Sequence, residues 1–213
     1  MLNSIIHPSS IISNNVTIGN GVYIGPNCTI GFPNYNTKNE ELLNVDNSLN
    51  KVVISDNCKI MGNAVICQGS LIGENNRIDY HSYIGENVKT GRNVDVKYGS
   101  RIYANVKVGD NTSISSFVAK NCIIGNNCII QGNIFHLFKD VVYGEDEPAP
   151  IIKDFVFIGM NAVVIGSITV AEYSYIGASA VIKKDTLPNK LYIGNPAKEI
   201  GKAPSPYKKR PFE

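Results

Sequence analysis

The feature that most constrains this chain is a repeat of six residues. In the stretch NVTIGNGVYIGPNCTIG (residues 15–31), isoleucine occupies positions 18, 24 and 30, and glycine follows each one. Neither an α-helix, with about 3.6 residues per turn, nor a plain strand, which alternates about every 2 residues, produces this period. The repeat predicts instead a short strand followed by a corner, again and again along the chain.

The repeat continues through most of the sequence, and nearly every position in its register is aliphatic. Its four runs are Ile12, Ile18, Ile24, Ile30; Ile54, Ile60, Ile66, Ile72, Ile78, Ile84, Thr90, Val96, Ile102, Val108, Ile114; Val118, Ile124, Ile130; and Ile152, Ile158, Val164, Val170, Ile176, Ile182. Thr90 is the single exception, and the register slips by two residues before Val118. Three six-residue units close one triangular coil of about 18 residues, and about eight stacked coils would bury a continuous aliphatic column.

The slot two residues before each aliphatic position takes small or β-branched side chains, which indicates that it also points inward. Four cysteines fall in this slot: Cys28, Cys58, Cys122 and Cys128. We interpret them as buried spacers rather than as redox or metal-binding residues. Glycine and asparagine recur between the inward positions, where a corner needs close packing or the left-handed backbone region.

Composition disfavours several classes of function. The 20 basic and 18 acidic residues nearly balance, so charge gives no case for nucleic-acid binding. The start MLNSIIHPSS lacks the features of a signal peptide, and no apolar run approaches the roughly 18 residues of a membrane span. The five cysteines include no CxxC pair, which predicts free thiols and a cytoplasmic protein.

The repeat is interrupted at three places, and interruptions of a solenoid are where function is expected. Residues 32–50 are polar and Asn-rich, residues 136–150 leave the coil at His136 and return at Ile151, and residues 187–213 end in a Pro-rich, basic segment. We therefore expect a solenoid over residues 1–186, interrupted by loops 32–50 and 136–150, and a capping tail over residues 187–213.

Three motifs near the second and third interruptions resemble the hexapeptide-repeat acyltransferases. The chain reads H…EPAPIIKDFVFIGMNAVVIG from residue 136, then YIGASAVIKKD, then GNPAK. In that family a histidine often precedes a long loop followed by P-x-[IV]-x-[DN]-x-[VC]-[WF]-IG. The resemblance implies an all-β fold, the left-handed parallel β-helix, and a homotrimer whose acyl-CoA clefts lie between subunits.

The same resemblance assigns roles to particular residues. It makes His136 the catalytic residue, because an imidazole, whose ordinary pKa lies near neutrality, can take a proton from the attacking group. By their positions in the motifs, it places the acyl-CoA on a set of residues spread over the last coils and the tail: Gly159, Ala178, Ser179, Lys183, Lys184 and Pro196. The lysines would face the phosphates of CoA.

Residues that could shape the acceptor site carry weaker patterns. In RIDYHSYIG, alternation places Asp79 and His81 on one face beside Tyr80. The two side chains are either a surface pair or contacts to the substrate, with His81 an alternative base. Tyr143, in the second loop, is a further candidate for the acceptor site.

Among functions, we expect an acyl-CoA-dependent acyltransferase that needs no metal and forms an amide on a nucleotide-linked (dTDP or UDP) amino-deoxysugar. The stretch YGSRIYANVKVGD…SSFVAKNCIIGNNCIIQGNIFH resembles such enzymes, whereas GNPAK also suits an O-acetyltransferase acting on a sugar hydroxyl. Two further readings are a γ-class carbonic anhydrase, which needs three zinc-binding histidines, and a non-catalytic scaffold. The three histidines at positions 7, 81 and 136 form no close pair, which disfavours the carbonic anhydrase.

Overall fold

The computed structural model describes residues 3–33, 50–136 and 148–204. In these ranges the repeat forms short strands that line up in three sheets, here called sheets A, B and C, and each coil contributes one strand to each sheet in turn. The fold is the left-handed parallel β-helix that the resemblance to the hexapeptide-repeat acyltransferases implies. The shortest sheet, C, has eight strands in the described residues, so the solenoid has eight complete coils and part of a ninth.

The strands are short because a corner follows every two to four residues. Sheet A contains β1 (Ile5–Ile6), β4 (Tyr23–Ile24), β7 (Lys59–Ile60), β10 (Arg77–Ile78), β13 (Asp95–Val96), β16 (Ser113–Ile114), β19 (Ile129–Ile130), β22 (Phe157–Ile158), β25 (Tyr175–Ile176), β27 (Lys190–Ile193) and β28 (Lys198–Lys202). Sheet B contains β2 (Ile11–Ile12), β5 (Thr29–Phe32), β8 (Val65–Cys67), β11 (Tyr83–Ile84), β14 (Arg101–Ile102), β17 (Phe117–Val118), β20 (Asn133–Phe135), β23 (Val163–Ile165) and β26 (Val181–Ile182). Sheet C contains β3 (Val16–Ile18), β6 (Val52–Ile54), β9 (Leu71–Ile72), β12 (Lys89–Thr90), β15 (Lys107–Val108), β18 (Ile123–Ile124), β21 (Ile151–Ile152) and β24 (Thr169–Val170).

The strand register follows the repeat. Arg77 pairs with Asp95, and a hydrogen bond joins their side chains across a sequence separation of 18 residues. Where the register slips, Phe117 pairs instead with a residue in the coil 16 positions later, and its amide donates to Asn133 Oδ1. The register slips twice, each time by two residues. The first slip, before Val118, is the one that the sequence predicts, whereas the second, between Ile130 and Ile134, is not predicted. Parallel pairing continues through both.

The interior of the solenoid is the aliphatic column that the sequence predicts. Fully buried isoleucines stack along it from coil to coil, and each contributes roughly 1.5–3 kcal/mol through burial. The small inward slot is filled by the four cysteines of that register and by serines such as Ser70, whose hydroxyl donates to the carbonyl of Gly85 at 2.8 Å. The prediction that these cysteines are buried spacers is confirmed.

Thr90, the exception in the aliphatic register, has a polar partner inside the column. Asn76 is 1% exposed, and its Nδ2 donates to Thr90 Oγ1 at 2.6 Å. Asn76 Oδ1 accepts from the amide of Val94, and Thr90 Oγ1 also accepts from the amide of Gly73. The amide and the hydroxyl thus satisfy each other and two backbone donors.

The corners divide into three edges, named after the sheets they join: the A–B, B–C and C–A edges. Asparagine holds the left-handed backbone region at most of them, with φ between 54° and 63°. At the C–A edge a Cβ added to Gly73 would lie 2.2 Å from the carbonyl oxygen of Gly91, so close packing requires glycine there. The described ends of both interrupted segments, Pro33 with Asn50 and His136 with Pro148, lie at the B–C edge.

The chain after the ninth coil covers the end of sheet A. Strand β27 pairs with β25 in parallel and with β28 in antiparallel orientation. Tyr192 in β27 is buried, and its hydroxyl accepts from the amide of Leu187 at 2.8 Å. This hairpin occupies the position at which the sequence predicts a capping segment, and residues 205–213 lie outside the described ranges.

Candidate active site

His136 lies at the B–C edge, directly after β20, and is the last described residue before residue 148. It is 5% exposed. Counting six residues on from Ile130 predicts that residue 136 occupies the aliphatic register, but Ile134 takes that position and pairs with Val118 and Val164. His136 therefore lies two residues beyond the register, at the start of the corner. Its Nε2 lies 2.7 Å from the carbonyl oxygen of Lys120, which sits in the preceding coil. A carbonyl oxygen can only accept a hydrogen bond, so Nε2 carries the proton and the lone pair of a neutral ring is on Nδ1.

The strand that carries His136 is held by a row of aromatic rings on the outward face of sheet B. Phe135 packs on Phe117 with ring centroids 5.0 Å apart, and Phe117 packs on Tyr103 at 4.7 Å. Tyr103 in turn contacts Tyr83 at 5.6 Å. Neither this row nor the Lys120 carbonyl is among the features predicted from the sequence, although the aromatic residues stand near the outward positions of successive coils.

The two lysines of the KKD motif share an edge with His136. Lys183 and Lys184 follow β26 at the B–C edge, two coils beyond His136, and both are exposed. With a strand spacing of about 4.8 Å, two coils separate the backbones by roughly 10 Å along the axis. Asp185 next to them accepts the amide of Thr169 through Oδ1 at 2.8 Å, which fixes the corner.

The small residues of the second motif lie on the A–B edge instead. Gly159 follows β22, and Ala178 with Ser179 occupies the same edge one coil later, where both are exposed. The amide of Ser179 donates to the carbonyl of Met160 at 2.9 Å, and Ser179 is in the left-handed region at φ 59°. A Cβ on Gly159 would lie 2.7 Å from the amide nitrogen of Ala178, so this corner packs tightly.

The A–B and B–C edges both border sheet B, and its outward face between them is apolar in the last coils. Val163, Ile165 and Val181 are the outward residues there, and each is half-buried. An apolar strip is thus flanked by the histidine and lysines on one side and by small residues on the other. Pro196 is exposed between β27 and β28, beside the last strand of sheet B, because the amide of Val181 donates to the Gly194 carbonyl and the amide of Ala197 donates to the Val181 carbonyl.

The proposed acceptor residues are not brought to His136 within one chain. Asp79, Tyr80 and His81 form an A–B corner in the fourth coil, whereas His136 lies on the B–C edge in the seventh. Asp79 Oδ1 accepts a hydrogen bond from the amide of Tyr80 at 2.8 Å. The backbone of His81 is in the left-handed region at φ 59°, and its exposed ring packs edge-on against Tyr98. Tyr143 lies outside the described residues.

Burial makes the cysteines poor nucleophiles at neutral pH. Loss of hydration raises the pKa of the Cys58 thiol to about 11 and that of Cys122 to about 12. Burial likewise raises the pKa values of Cys28 and Cys67, and the Cys67 thiol donates to the hydroxyl of Tyr83 at 3.5 Å. The thiols therefore stay protonated, which disfavours a covalent cysteine mechanism.

The three histidines are far apart along the solenoid. His7 is exposed in the first coil, His81 lies in the fourth and His136 in the seventh, so consecutive ones are roughly 14 Å apart along the axis. Within the described ranges, no group of three or more His, Cys, Asp or Glu side chains is arranged to hold a metal ion. The part of the chain that the structure describes also contains no helix long and apolar enough to cross a membrane.

Comparison with known proteins finds the repeat in several curated sequences. The model of the family "bacterial transferase hexapeptide (six repeats)" matches residues 3–32, 51–86 and 149–184. The bifunctional protein GlmU of Thermotoga petrophila is 26% identical over 227 aligned positions, which cover 100% of this chain and 42% of that protein. A serine acetyltransferase of Mycobacterium tuberculosis is 43% identical over 58 residues, 27% of this chain and 25% of that enzyme.

Among solved structures, the UDP-N-acetylglucosamine acyltransferase from Campylobacter jejuni superimposes with a TM-score of 0.68 at 20% identity, covering 92% of this chain and 74% of that one. At this identity the likeness shows a shared fold. The chain spans less than half the length of the curated relatives that it matches. For the GlmU protein of Thermotoga petrophila, the matched share of its length is 42%.

Proposed function

Because this chain belongs to the hexapeptide-repeat family of left-handed β-helix proteins, we propose that it is an acyl-CoA-dependent acyltransferase. The acceptor that we propose is the amino group of a nucleotide-linked amino-deoxysugar. The observation that carries the proposal is the geometry of His136, a buried imidazole whose Nε2–H is held by the Lys120 carbonyl on an edge that also carries two exposed lysines. The names of the relatives, which include a serine acetyltransferase and a UDP-N-acetylglucosamine acyltransferase, support the same class of reaction.

His136 supplies the base. The Lys120 carbonyl orients the ring and leaves the lone pair on Nδ1, which takes the proton of the acceptor nitrogen as the nitrogen forms its bond to the acyl carbon. The imidazolium that results is stabilised by the same carbonyl, because a hydrogen bond from a charged donor is stronger than one from a neutral donor. The proton then passes from Nδ1 to the departing sulfur as the carbon–sulfur bond breaks. Acyl-CoA supplies the thioester that makes this exchange favourable.

The residues around sheet B fit a CoA ester. The apolar strip of Val163, Ile165 and Val181 suits the pantetheine arm, and the exposed corner of Ala178 and Ser179, with the Ser179 hydroxyl, offers hydrogen bonds along it. Lys183 and Lys184 offer mobile positive charge for phosphates, a role that suits exposed ammonium groups. Pro196, exposed in the turn that hydrogen-bonds to Val181, is a further candidate for the same ligand.

We also propose a cytoplasmic homotrimer with the sites between subunits. The half-exposed aromatic row of sheet B supports a contact between copies, because rings at an interface contribute area with little loss of side-chain freedom. Free thiols at all five cysteines support a reducing compartment.

A thiol-release assay tests the proposal. Purified protein is mixed with acetyl-CoA and with UDP- or dTDP-linked amino sugars, and free CoA is followed with a thiol reagent. We expect release that depends on the acceptor in the wild type and in His7→Ala, which removes an exposed histidine at the far end of the solenoid. No acceptor-dependent release with any amino sugar, together with no binding of acetyl-CoA by calorimetry, would refute the proposed function.

A further inference from the structure

A polar groove on the outward face of sheet A has no role in the proposed acyl transfer. Its volume is about 400 Å³, and its floor is formed by Lys59, Arg77 and Asp95. Its wall is formed by three corner asparagines of the C–A edge in consecutive coils, Asn57, Asn75 and Asn93. Face A lies across the solenoid from the B–C edge, so the groove is separate from His136 of the same chain.

The charged floor is confined to three consecutive coils. Lys59, Arg77 and Asp95 occupy the same outward position of neighbouring strands and pair directly with one another. The strands on either side carry uncharged residues at this position, Tyr23 before and Ser113 after. Charge is therefore concentrated in the groove and does not continue along the face.

Asp95 holds the positive side chains in place. It is 5% exposed, its Oδ2 accepts from the Arg77 guanidinium at 3.1 Å, and its carboxylate also pairs with the ammonium of Lys97. A buried carboxylate is stable only when it is paired, so the two cations are fixed by it. Within the described residues Lys59 forms no ion pair, and the groove thus presents more positive than negative charge.

We propose that this groove binds a phosphate ester, with Arg77 and Lys59 on the phosphate oxygens and the three asparagine amides on hydroxyl groups of the ligand. A guanidinium oriented by a carboxylate presents its remaining N–H donors in a fork that matches phosphate geometry. Carboxamides both donate and accept hydrogen bonds, as sugar hydroxyls do. The volume suits a phosphorylated sugar or a somewhat larger molecule. The inference does not depend on the acyl-transfer proposal.

Calorimetric titration of the full chain with sodium pyrophosphate, in a phosphate-free buffer of low ionic strength, tests the inference. We expect saturable binding at one site per chain that weakens as salt is added. Lys59→Gln removes an exposed cation with no ion pair among the described residues, so the fold should persist while affinity falls about fivefold. Arg77→Lys, which keeps the charge beside Asp95 but loses the fork, should weaken binding by a similar factor.

The matched control is Lys107→Gln, the same change of charge at an exposed outward position of sheet C. It should leave the affinity for pyrophosphate unchanged. Equal weakening by Lys107→Gln and Lys59→Gln would show a general effect of net charge and overturn the proposal. So would the absence of saturable binding, or loss of binding in Lys183→Gln with Lys184→Gln but not in Lys59→Gln.

Two further ligands distinguish the source of the phosphate. Tighter binding of UDP-glucose than of pyrophosphate, lost in Lys59→Gln, would identify a nucleotide sugar, and equal binding would identify a free phosphorylated metabolite. Glucose and glucose 1-phosphate provide the last comparison. If glucose bound as well as its phosphate, the phosphate would not be recognised and the proposal would fail.

Discussion

The C–A and B–C edges of the solenoid are built from the same corner but end differently. Along the C–A edge a left-handed asparagine recurs in coil after coil, at positions 57, 75, 93, 111 and 127. Along the B–C edge the series Asn87, Asn105 and Asn121 is joined by side-chain hydrogen bonds and stops, and His136 stands in the next coil. We interpret the edge at which asparagine recurs as structural, and the edge at which the asparagine series ends as the one that carries the candidate catalytic residue.

The C–A edge changes residue type without losing its backbone. In the eighth and ninth coils Phe155 and Tyr173 take the asparagine position, at φ 59° and 58°. Their rings stack 4.8 Å apart with planes 5° from parallel, at the spacing of neighbouring coils. Stacking replaces the amide hydrogen bonds there, and no segment leaves the coil, so this exception is a substitution within the corner and not an interruption.

The sharpest test of the difference between the edges is His136→Asn. Because the imidazole of His136 is the proposed base, we expect kcat/KM for acyl transfer to fall by about 10²–10⁴-fold, while the melting temperature changes little. Kinetics with saturating acetyl-CoA and thermal unfolding measure the two effects. A loss of well over about 10³-fold would favour a hydroxyl acceptor, since an amine needs less help from a base. Full activity would remove His136 from the chemistry.

The next largest effect is expected on the C–A edge and concerns stability alone. In Gly73→Ala the new Cβ would lie 2.2 Å from the carbonyl oxygen of Gly91. We therefore expect the free energy of unfolding to fall by at least about 1–3 kcal/mol. Chemical denaturation measures it. Gly99→Ala is the control, because its Cβ would meet no atom within 4 Å and the cost is limited to the strain of φ 65°, about 1–2 kcal/mol.

The inward thiols beside the two edges should respond alike to pH. The pKa of Cys58, after Asn57, and that of Cys122, after Asn121, are raised by burial to about 11 and about 12. Their stabilising effect is complete below the unfolded-state pKa of about 8.5 and is lost as the pH rises toward these values. Unfolding free energy should therefore fall by up to about 1.4 kcal/mol per pH unit for each thiol above pH 9.

Cys58→Ala and Cys122→Ala provide the comparison for this pH effect, because each removes one titrating thiol from an otherwise identical chain. Each variant should show a shallower fall in stability between pH 9 and 10.5 than the wild type, measured by urea denaturation. Slopes identical to that of the wild type would show that lysines and tyrosines account for the alkaline instability.

The smallest effect is expected at a single corner asparagine. Asn93→Ala should cost about 1 kcal/mol, because alanine tolerates φ 54° less well and the hydrogen bond from Asn93 Nδ2 to Asn111 Oδ1 is lost. Asn93→Gly isolates the hydrogen bond, since glycine adopts this φ freely. If Asn93→Ala and Asn93→Gly were equally stable in denaturation experiments, backbone strain would not explain the recurring asparagine.

Much of the fold could be predicted from the sequence because the repeat encodes it locally. The register of Ile24, Ile60 and Ile78 predicts the column, and the slip before Val118 predicts the first of the two places where the register shortens. The Lys120 carbonyl could not be predicted as the partner of His136, because a backbone oxygen has no signature in the sequence. The charged floor of the sheet A groove could have been predicted from the sequence, because an 18-residue spacing places Lys59, Arg77 and Asp95 at the same outward position of neighbouring strands.

The separation of the candidate residues could not be predicted from the sequence either. Alternation relates Asp79 to His81 but does not relate either of them to His136, since distances between edges depend on the number of coils and on the excursions between them. Residue spacing fixes the edge on which a side chain lies, and the structure is needed to show that the A–B and B–C edges border one apolar strip.

The pair of Asn76 and Thr90 has a consequence for how the coils find one another during folding. A chain of near-identical rungs can slide by one coil and still place isoleucine against isoleucine, so aliphatic burial hardly distinguishes the correct alignment from a shifted one. A shifted alignment would bury the Asn76 amide and the Thr90 hydroxyl without each other, at a cost of about 1–3 kcal/mol for each orphaned group. One polar contact thus favours the correct alignment of neighbouring coils over alignments shifted by one coil.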